Sequence, residues 1–292
     1  MKVFTLEDGR DLEYEVSGPA GALPFVLHHG TPGCTIAPPE IERAVLAAGL
    51  RLVTYSRPGY GRSTRRQGRL MVDAAEDVRQ LLDRLGAARC VTAGQSSGGP
   101  SALATAALFP DRVAAVLVIA CLAPYGAAGL DWTAGMGEEN VADLTAALQG
   151  EDAIRPKVQR DARFAAEADI ETIMYLTATL LPGVDRGVLD EERASYMVRS
   201  MQGSVVSGAD GWIDDALAAV RDWGFLPDAV TVPTFLWHGD SDLLVPFSHG
   251  AWLARHLPAV TPHLQLREGH LSITAHHVEA MIAEVVASLG SP

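Results

Sequence analysis

Residues 90–99 read Cys90-Val91-Thr92-Ala93-Gly94-Gln95-Ser96-Ser97-Gly98-Gly99. An apolar run from Arg89 to Ala93, too short for a helix, leads into Gly94-Gln95-Ser96-Ser97-Gly98, and helical periodicity follows from Pro100 to Leu108. This is the pattern G-x-S-x-G set between a strand and a helix, the context in which a serine is carried on a sharp turn with its hydroxyl exposed. The turn is so tight that residues two before and two after its apex must be small. With Ser96 at the apex both are glycine, whereas with Ser97 there Gln95 would take a crowded place. Ser96 is therefore the candidate nucleophile.

Working outward, Lys2 to Leu6 and Asp11 to Val16 alternate in polarity around the turn Glu7-Asp8-Gly9-Arg10 and read as an antiparallel hairpin. Short apolar runs recur at Leu23–His28, Leu50–Tyr55, Val113–Ala120, Thr231–Trp237 and His263–Leu266. Such runs suit strands buried on both faces of a parallel sheet. Helical patterns fill the gaps at Glu40–Ala48, Val72–Leu85, His249–Leu257 and Ile273–Leu289, so the chain predicts a doubly wound α/β sheet. From Pro124 to Asp228 the helical pattern continues, at Val141–Leu148, Ala162–Leu180, Asp190–Met201 and Ile213–Ala219, without a convincing strand. The expectation is a core of residues 1–123 and 229–292 with a helical cap, 124–228, inserted after the sixth strand.

A serine hydroxyl needs a base to take its proton. Of nine histidines, His270, in Arg267-Glu268-Gly269-His270-Leu271-Ser272, follows the last short strand, at the strand edge where ligands collect in open α/β sheets. His249, His256 and His263 have no motif around them, and helix-surface or strand-end roles are expected; His276 and His277 read as surface residues of the last helix. The base needs a carboxylate to orient its ring, and the segment Trp237-His238-Gly239-Asp240-Ser241-Asp242 offers Asp240 and Asp242. For the oxyanion formed on attack, the candidate donors are the backbone N–H groups of Ser97, at the start of a helix, and of Thr31, in the turn His28-His29-Gly30-Thr31-Pro32-Gly33.

The chain has 292 residues, enough for a full core, and 48% hydrophobic residues against 20% charged. Its net charge of -13 argues against a nucleic-acid partner, which requires clustered Lys and Arg. No apolar stretch is long enough to span a membrane, and charges interrupt the start MKVFTLEDGRDLEYEV, so a cytoplasmic protein without a membrane partner is expected. Cys34, Cys90 and Cys121 have neither disulfide-framework nor zinc-finger spacing; reduced, buried thiols and no metal are expected. Residues 123–228 hold 19 acidic and 8 basic residues, a net -11, which reads as a solvated outer surface or as a field favouring amines over anions.

Together HGTPG at 29–33, YSRPGYGRS at 55–63, GQSSGG at 94–99, HGDSDLLVP at 238–246 and EGHLS at 268–272 resemble, in order and spacing, the α/β-hydrolase superfamily. Within it the chain resembles cap-bearing members with an HG-x-P oxyanion loop, such as proline iminopeptidases, haloperoxidase-like esterases and C–C bond hydrolases. The resemblance spans nearly the whole chain. It implies an eight-stranded sheet with the second strand antiparallel, a Ser96-Asp242-His270 triad with Asp242 preferred over Asp240, oxyanion donors at Thr31 and Ser97, and no cofactor. A serine where haloalkane dehalogenases and epoxide hydrolases carry aspartate argues against those activities. Ser97 also departs from the tryptophan usual in proline iminopeptidases. The expected function is cleavage of a carboxylic ester, lactone or thioester, with a small-molecule acyl substrate as the partner; aminopeptidase and C–C hydrolase activity, and a non-catalytic receptor, are the alternatives, and the oligomeric state is left open. Trp132, Met136, Tyr175 and Trp212 are candidates for an apolar substrate pocket, though each residue type equally fills a helical core.

Overall fold

The computed structural model describes residues 1–290, and side chains throughout these except at 176–180. The strands are β1 (Lys2–Thr5), β2 (Asp11–Ser17), β3 (Pro24–His28), β4 (Arg51–Tyr55), β5 (Cys90–Gln95), β6 (Val113–Ile119), β7 (Thr234–Gly239) and β8 (Val260–Gln265). They form one sheet in the order β1-β2-β4-β3-β5-β6-β7-β8; β2 runs antiparallel to both its neighbours, and the other pairings are parallel. The helices are α1 (Pro39–Ala47), α2 (Ala74–Arg84), α3 (Gly99–Leu108), α4 (Glu138–Gln149), α5 (Glu151–Glu167), α6 (Ile170–Leu180), α7 (Gly183–Gly187), α8 (Glu191–Ser204), α9 (Asp210–Ala219), α10 (Phe247–His256) and α11 (Ser272–Leu289).

Alternation along the strands builds two cores, one on each face. Phe25 and Leu27 of β3, Val91 and Ala93 of β5, and Ala115, Leu117 and Ile119 of β6 pack with Ile41 and Val45 of α1 and Met281 and Ile282 of α11. Val26, Val116 and Val118 point the other way, into a cluster with Val78 and Leu81 of α2, Leu103 of α3 and Trp252 of α10. Burial on both faces is what turns each strand into an apolar run rather than an alternating one.

Two strand starts differ from expectation by three residues, and a proline bears on each. β7 starts at Thr234, not Thr231, because Pro233 cannot donate to the ladder. β8 starts at Val260, not His263, and contains Pro262, which is tolerated because β8 is an edge strand.

Helices α4–α9 lie between β6 and β7, with no strand there among the described residues. The helix expected over Ala162–Leu180 is two helices. Ala168 is extended at φ -60° and ψ 139°, and the Asp169 side chain accepts the Thr172 N–H at 2.8 Å to start α6. The inserted helices have a small core of their own, where Ile154 and Val158 of α5 meet Ile213 and Leu217 of α9. The expectation that the acidic residues here face water fails at three positions: Asp185, Asp214 and Asp215 are 0%, 2% and 3% exposed.

Asp215 shows why. Its carboxylate accepts hydrogen bonds from Arg57 Nε at 3.2 Å and Nη2 at 2.6 Å, from Tyr60 Oη at 2.8 Å, from Arg69 Nη2 and from the Thr31 hydroxyl. Next to it, Asp214 takes a two-pronged contact from Arg65 at 2.8 and 2.9 Å. The loop after β4 thus receives α9 through buried ion pairs, and the backbones touch: a Cβ on Gly59 (φ 90°) would lie 2.7 Å from Gly211 Cα. Burial alone would raise the Asp215 pKa, but the guanidinium charges of Arg57 and Arg69 outweigh it and hold the carboxyl well below its ordinary range.

Asp215→Ala leaves two buried guanidiniums uncompensated and should destabilise the protein by about 3–5 kcal/mol in urea unfolding. Since the folded-state pKa is depressed, the contribution of Asp215 is present above the unfolded value near about 4 and declines as pH falls below it. A loss under about 1 kcal/mol would contradict the reading of this cluster as the clamp between α9 and the sheet.

Candidate active site

The turn after β5 places Ser96 at φ 56°, a left-handed conformation that costs a non-glycine residue about 1–3 kcal/mol and persists only where packing enforces it. Ser97 does not share it, so the strained apex is at Ser96. The packing is visible at the flanking glycines. A Cβ on Gly94 would lie 2.2 Å from the Gly98 carbonyl oxygen, one on Gly98 2.2 Å from the His28 carbonyl oxygen, and one on Gly99 2.2 Å from Cys121 Sγ. The small residues expected on either side of the apex are therefore required by backbone contacts with each other and with β3.

His270 lies in the loop between β8 and α11 and is 6% exposed. Its Nδ1–H donates to Asp242 Oδ2 at 2.7 Å, which leaves Nε2 as the basic nitrogen. Asp242, 4% exposed in the loop after β7, accepts the N–H groups of Leu244 and Val245 at 2.9 Å each through Oδ1. Asp240 instead is exposed and accepts the Arg267 N–H at 2.7 Å, bracing the turn. Burial pushes the His270 pKa down, but the Asp242 charge and hydrogen bond outweigh it, with a smaller contribution from Asp185, so it lies above the ordinary histidine value. Burial pushes Asp242 up, and the His270 charge and hydrogen bond bring it below the ordinary carboxylate value.

Ser96, Asp242 and His270 follow the C-terminal ends of β5, β7 and β8, parallel strands of one sheet, so all three collect on the same rim. The side-chain amide of Gln95 reaches the His270 carbonyl at 3.5 Å, tying the residue before Ser96 to the histidine loop. The Ser96 hydroxyl itself has no hydrogen-bond partner among the described residues.

The turn at 28–33 lies alongside: a Cβ on Gly30 would be 3.5 Å from Ser96 Cβ. Arg57 holds this turn from behind, donating to the carbonyls of His29 and Gly30, the latter at 3.1 Å. The Thr31 hydroxyl has one proton, which goes to Asp215, so at the 2.6 Å contact with Ser97 Oγ it is Ser97 that donates. The Thr31 and Ser97 hydroxyls are thereby engaged with Asp215 and with each other.

The apolar pocket candidates scatter. Trp132 is buried, its Nε1–H donating to the Ala123 carbonyl at 2.8 Å, and Met136 packs in the same cluster with Leu122 and Val245. Trp212 packs against the core of the inserted helices, and Tyr175 is 72% exposed on α6. His249, expected on a helix surface, is fully buried: its Nδ1 accepts the Ala123 N–H at 3.1 Å and its Nε2–H donates to the Trp132 carbonyl at 2.8 Å. It ties together the chain leaving β6, and burial lowers its pKa to about 4, keeping it neutral. Cys34, Cys90 and Cys121 are free and buried. Among the described residues no group of three or more His, Cys, Asp or Glu side chains is placed to hold a metal ion, and no helix is long and apolar enough to cross a membrane.

Sequence reasoning missed Asp185, Asp215 and the role of Arg57. The one available signal was helical phase, and it points to Asp215 alone, which shares a face of α9 with the buried Gly211 and Ala218.

Comparison with known proteins agrees with this fold. A non-heme chloroperoxidase from Streptomyces lividans is 26% identical over 86% of this chain and 86% of its own length. A bifunctional esterase/perhydrolase from Acinetobacter calcoaceticus is 33% identical over 42% of this chain; that match covers 46% of the relative, less than half its length. An uncharacterized hydrolase from Bacillus subtilis and a putative carbamate hydrolase from Variovorax paradoxus are likewise matched over only 36% and 41% of their lengths. Among solved structures, an esterase from Thermogutta terrifontis superposes with a TM-score of 0.70 at 20% identity, covering all of both chains, and one from Rhodococcus with 0.72 at 19% identity, covering 99% of each. The family model described as alpha/beta hydrolase fold matches residues 24–276, most of the sequence, and the chain belongs to that family.

Proposed function

We propose that this hydrolase cleaves a carboxylic ester, lactone or thioester through an acyl-enzyme, with Ser96 as nucleophile, His270 as base and Asp242 as its orienting carboxylate. The observation that carries the reading is the 2.7 Å His270–Asp242 hydrogen bond on the same rim as a serine held at φ 56°. In this reading His270 Nε2 takes the Ser96 proton as Oγ attacks the acyl carbon. The N–H groups of Thr31 and Ser97 receive the oxyanion. His270 then returns the proton to the leaving alcohol or thiol, and a water activated in the same way releases the acid. The free Ser96 hydroxyl fits this scheme, because catalytic hydrogen bonds are often long without substrate. Residues 124–228 act as a cap over the rim and shape the acyl pocket. Similarity to proteins named as esterases supports the bond type.

The aminopeptidase alternative needs a cap carboxylate free to hold an amine. Of the 19 acidic residues in 123–228, the three buried ones, Asp185, Asp214 and Asp215, are not free for that role: each is engaged by backbone N–H groups or arginines.

A fluorophosphonate probe should label wild-type protein at Ser96, read by intact mass and peptide mapping, and should not label Ser96→Ala. Folded wild-type protein that stays unlabelled would overturn the assignment. With an aryl ester, kcat/KM should rise with pH through an apparent pKa above about 6.5, since only neutral His270 accepts the proton and its pKa is raised. A profile flat from about pH 5 to 8 would contradict it. Replacing Ser96 and His270 together should cost little more than either alone, because they act as a unit.

A further inference from the structure

Asp185 sits on α7, a five-residue helix of the insertion, and is 0% exposed. Its partners are not on its own element. Oδ2 accepts the His270 N–H at 2.9 Å, and Oδ1 accepts those of Leu271 and Ser272, each at 2.9 Å. These donors stand at the start of α11, where backbone N–H groups have no partner within the helix. Gly269 is fitted to the arrangement, since a Cβ there would come within 2.4 Å of Asp185 Oδ2. A carboxylate 85 residues away in the chain thus grips the backbone of the residue that carries the proposed base.

We propose that Asp185 is a positioning residue: by gripping the His270–Ser272 backbone it sets where the His270 imidazole stands relative to Ser96, so that seating the insertion also seats the base. The proposal rests on the reading of Ser96, His270 and Asp242 as a triad. A carboxylate here has an electrostatic consequence as well. The groups facing His270 are Asp242 from the loop after β7, the neutral His238 of β7, and Asp185 from α7; in its own loop, Glu268 is turned to His276 and His277. Asp185 and Asp242 both favour the imidazolium, and removing the Asp185 charge makes that form less stable.

Asp185→Asn preserves size and one acceptor oxygen while removing the charge. With an aryl ester, the expected result is a plateau kcat lower by roughly tenfold or more with KM little changed, because misplacement of a catalytic group is felt in the chemical step. The acidic limb of kcat/KM should also move to lower pH, because the Asp185 charge is one of those that raise the His270 pKa. Asp185→Glu, which keeps the charge but not the fit, should lower the plateau and leave the limb in place. A folded Asp185→Asn enzyme with wild-type plateau and limb overturns the proposal while leaving the triad intact. A wild type that neither labels at Ser96 nor shows an acidic limb overturns the triad reading instead. Should Asp185→Asn not fold, hydrogen exchange in wild-type protein decides: the amides of His270, Leu271 and Ser272 should all be protected, and exchange at unprotected-loop rates would overturn the proposal.

Discussion

The close approach of Gly94 and Gly98 across the turn at Ser96 governs the geometry around it. Residue 96 can be forced into a left-handed conformation only because the chain on either side packs backbone against backbone, and because Gly98 lies directly on the carbonyl of His28 in β3. That contact sets where α3 starts, and α3 is buried along nearly its whole length between the sheet and α2. It also sets the distance between the serine and the turn at 28–33. A single Cβ at 94 or 98 would have to move a central strand or a core helix, and close-packed interiors resist that.

A second constraint comes from charge. The sheet domain has cations near the proposed site, Arg57 and Arg69, whose partner is supplied by α9, and helix-start N–H groups at His270 to Ser272, whose partner is supplied by α7. Two carboxylates from the inserted helices thus complete polar groups on the loop after β4 and on the loop that carries His270. Buried ion pairs contribute less net stability than apolar packing would, but they are intolerant of misplacement, because an unpaired buried charge costs several kcal/mol. The insertion therefore has one good way to sit on the sheet. The same network engages the Thr31 and Ser97 hydroxyls.

Much of this was legible in the sequence where local rules are strong. The strands are apolar runs because both their faces are buried, and the elbow glycines stand out because no side chain fits. The helix break at Ala168–Asp169 and the edge strand carrying Pro262 were less legible, since one depends on a local cap and the other on an edge position that only topology confers. Asp240 and Asp242 were not separable from local pattern. Two residues apart and both beside a turn, they part company in space, one bracing Arg267 in the open and the other buried against His270.

The α/β architecture, the position of the elbow at Ser96 and the candidacy of His270 could be read along the chain, because periodicity, glycine placement and motif order are short-range properties. Folding in three dimensions settled which of the insertion's many acids face water and which are buried, that His249 is a core residue, and that Tyr175 faces solvent. Those outcomes depend on partners 85 to 184 residues distant, Asp185 to His270 and Thr31 to Asp215, and no local pattern encodes a hydrogen bond whose two ends meet only after the chain has folded.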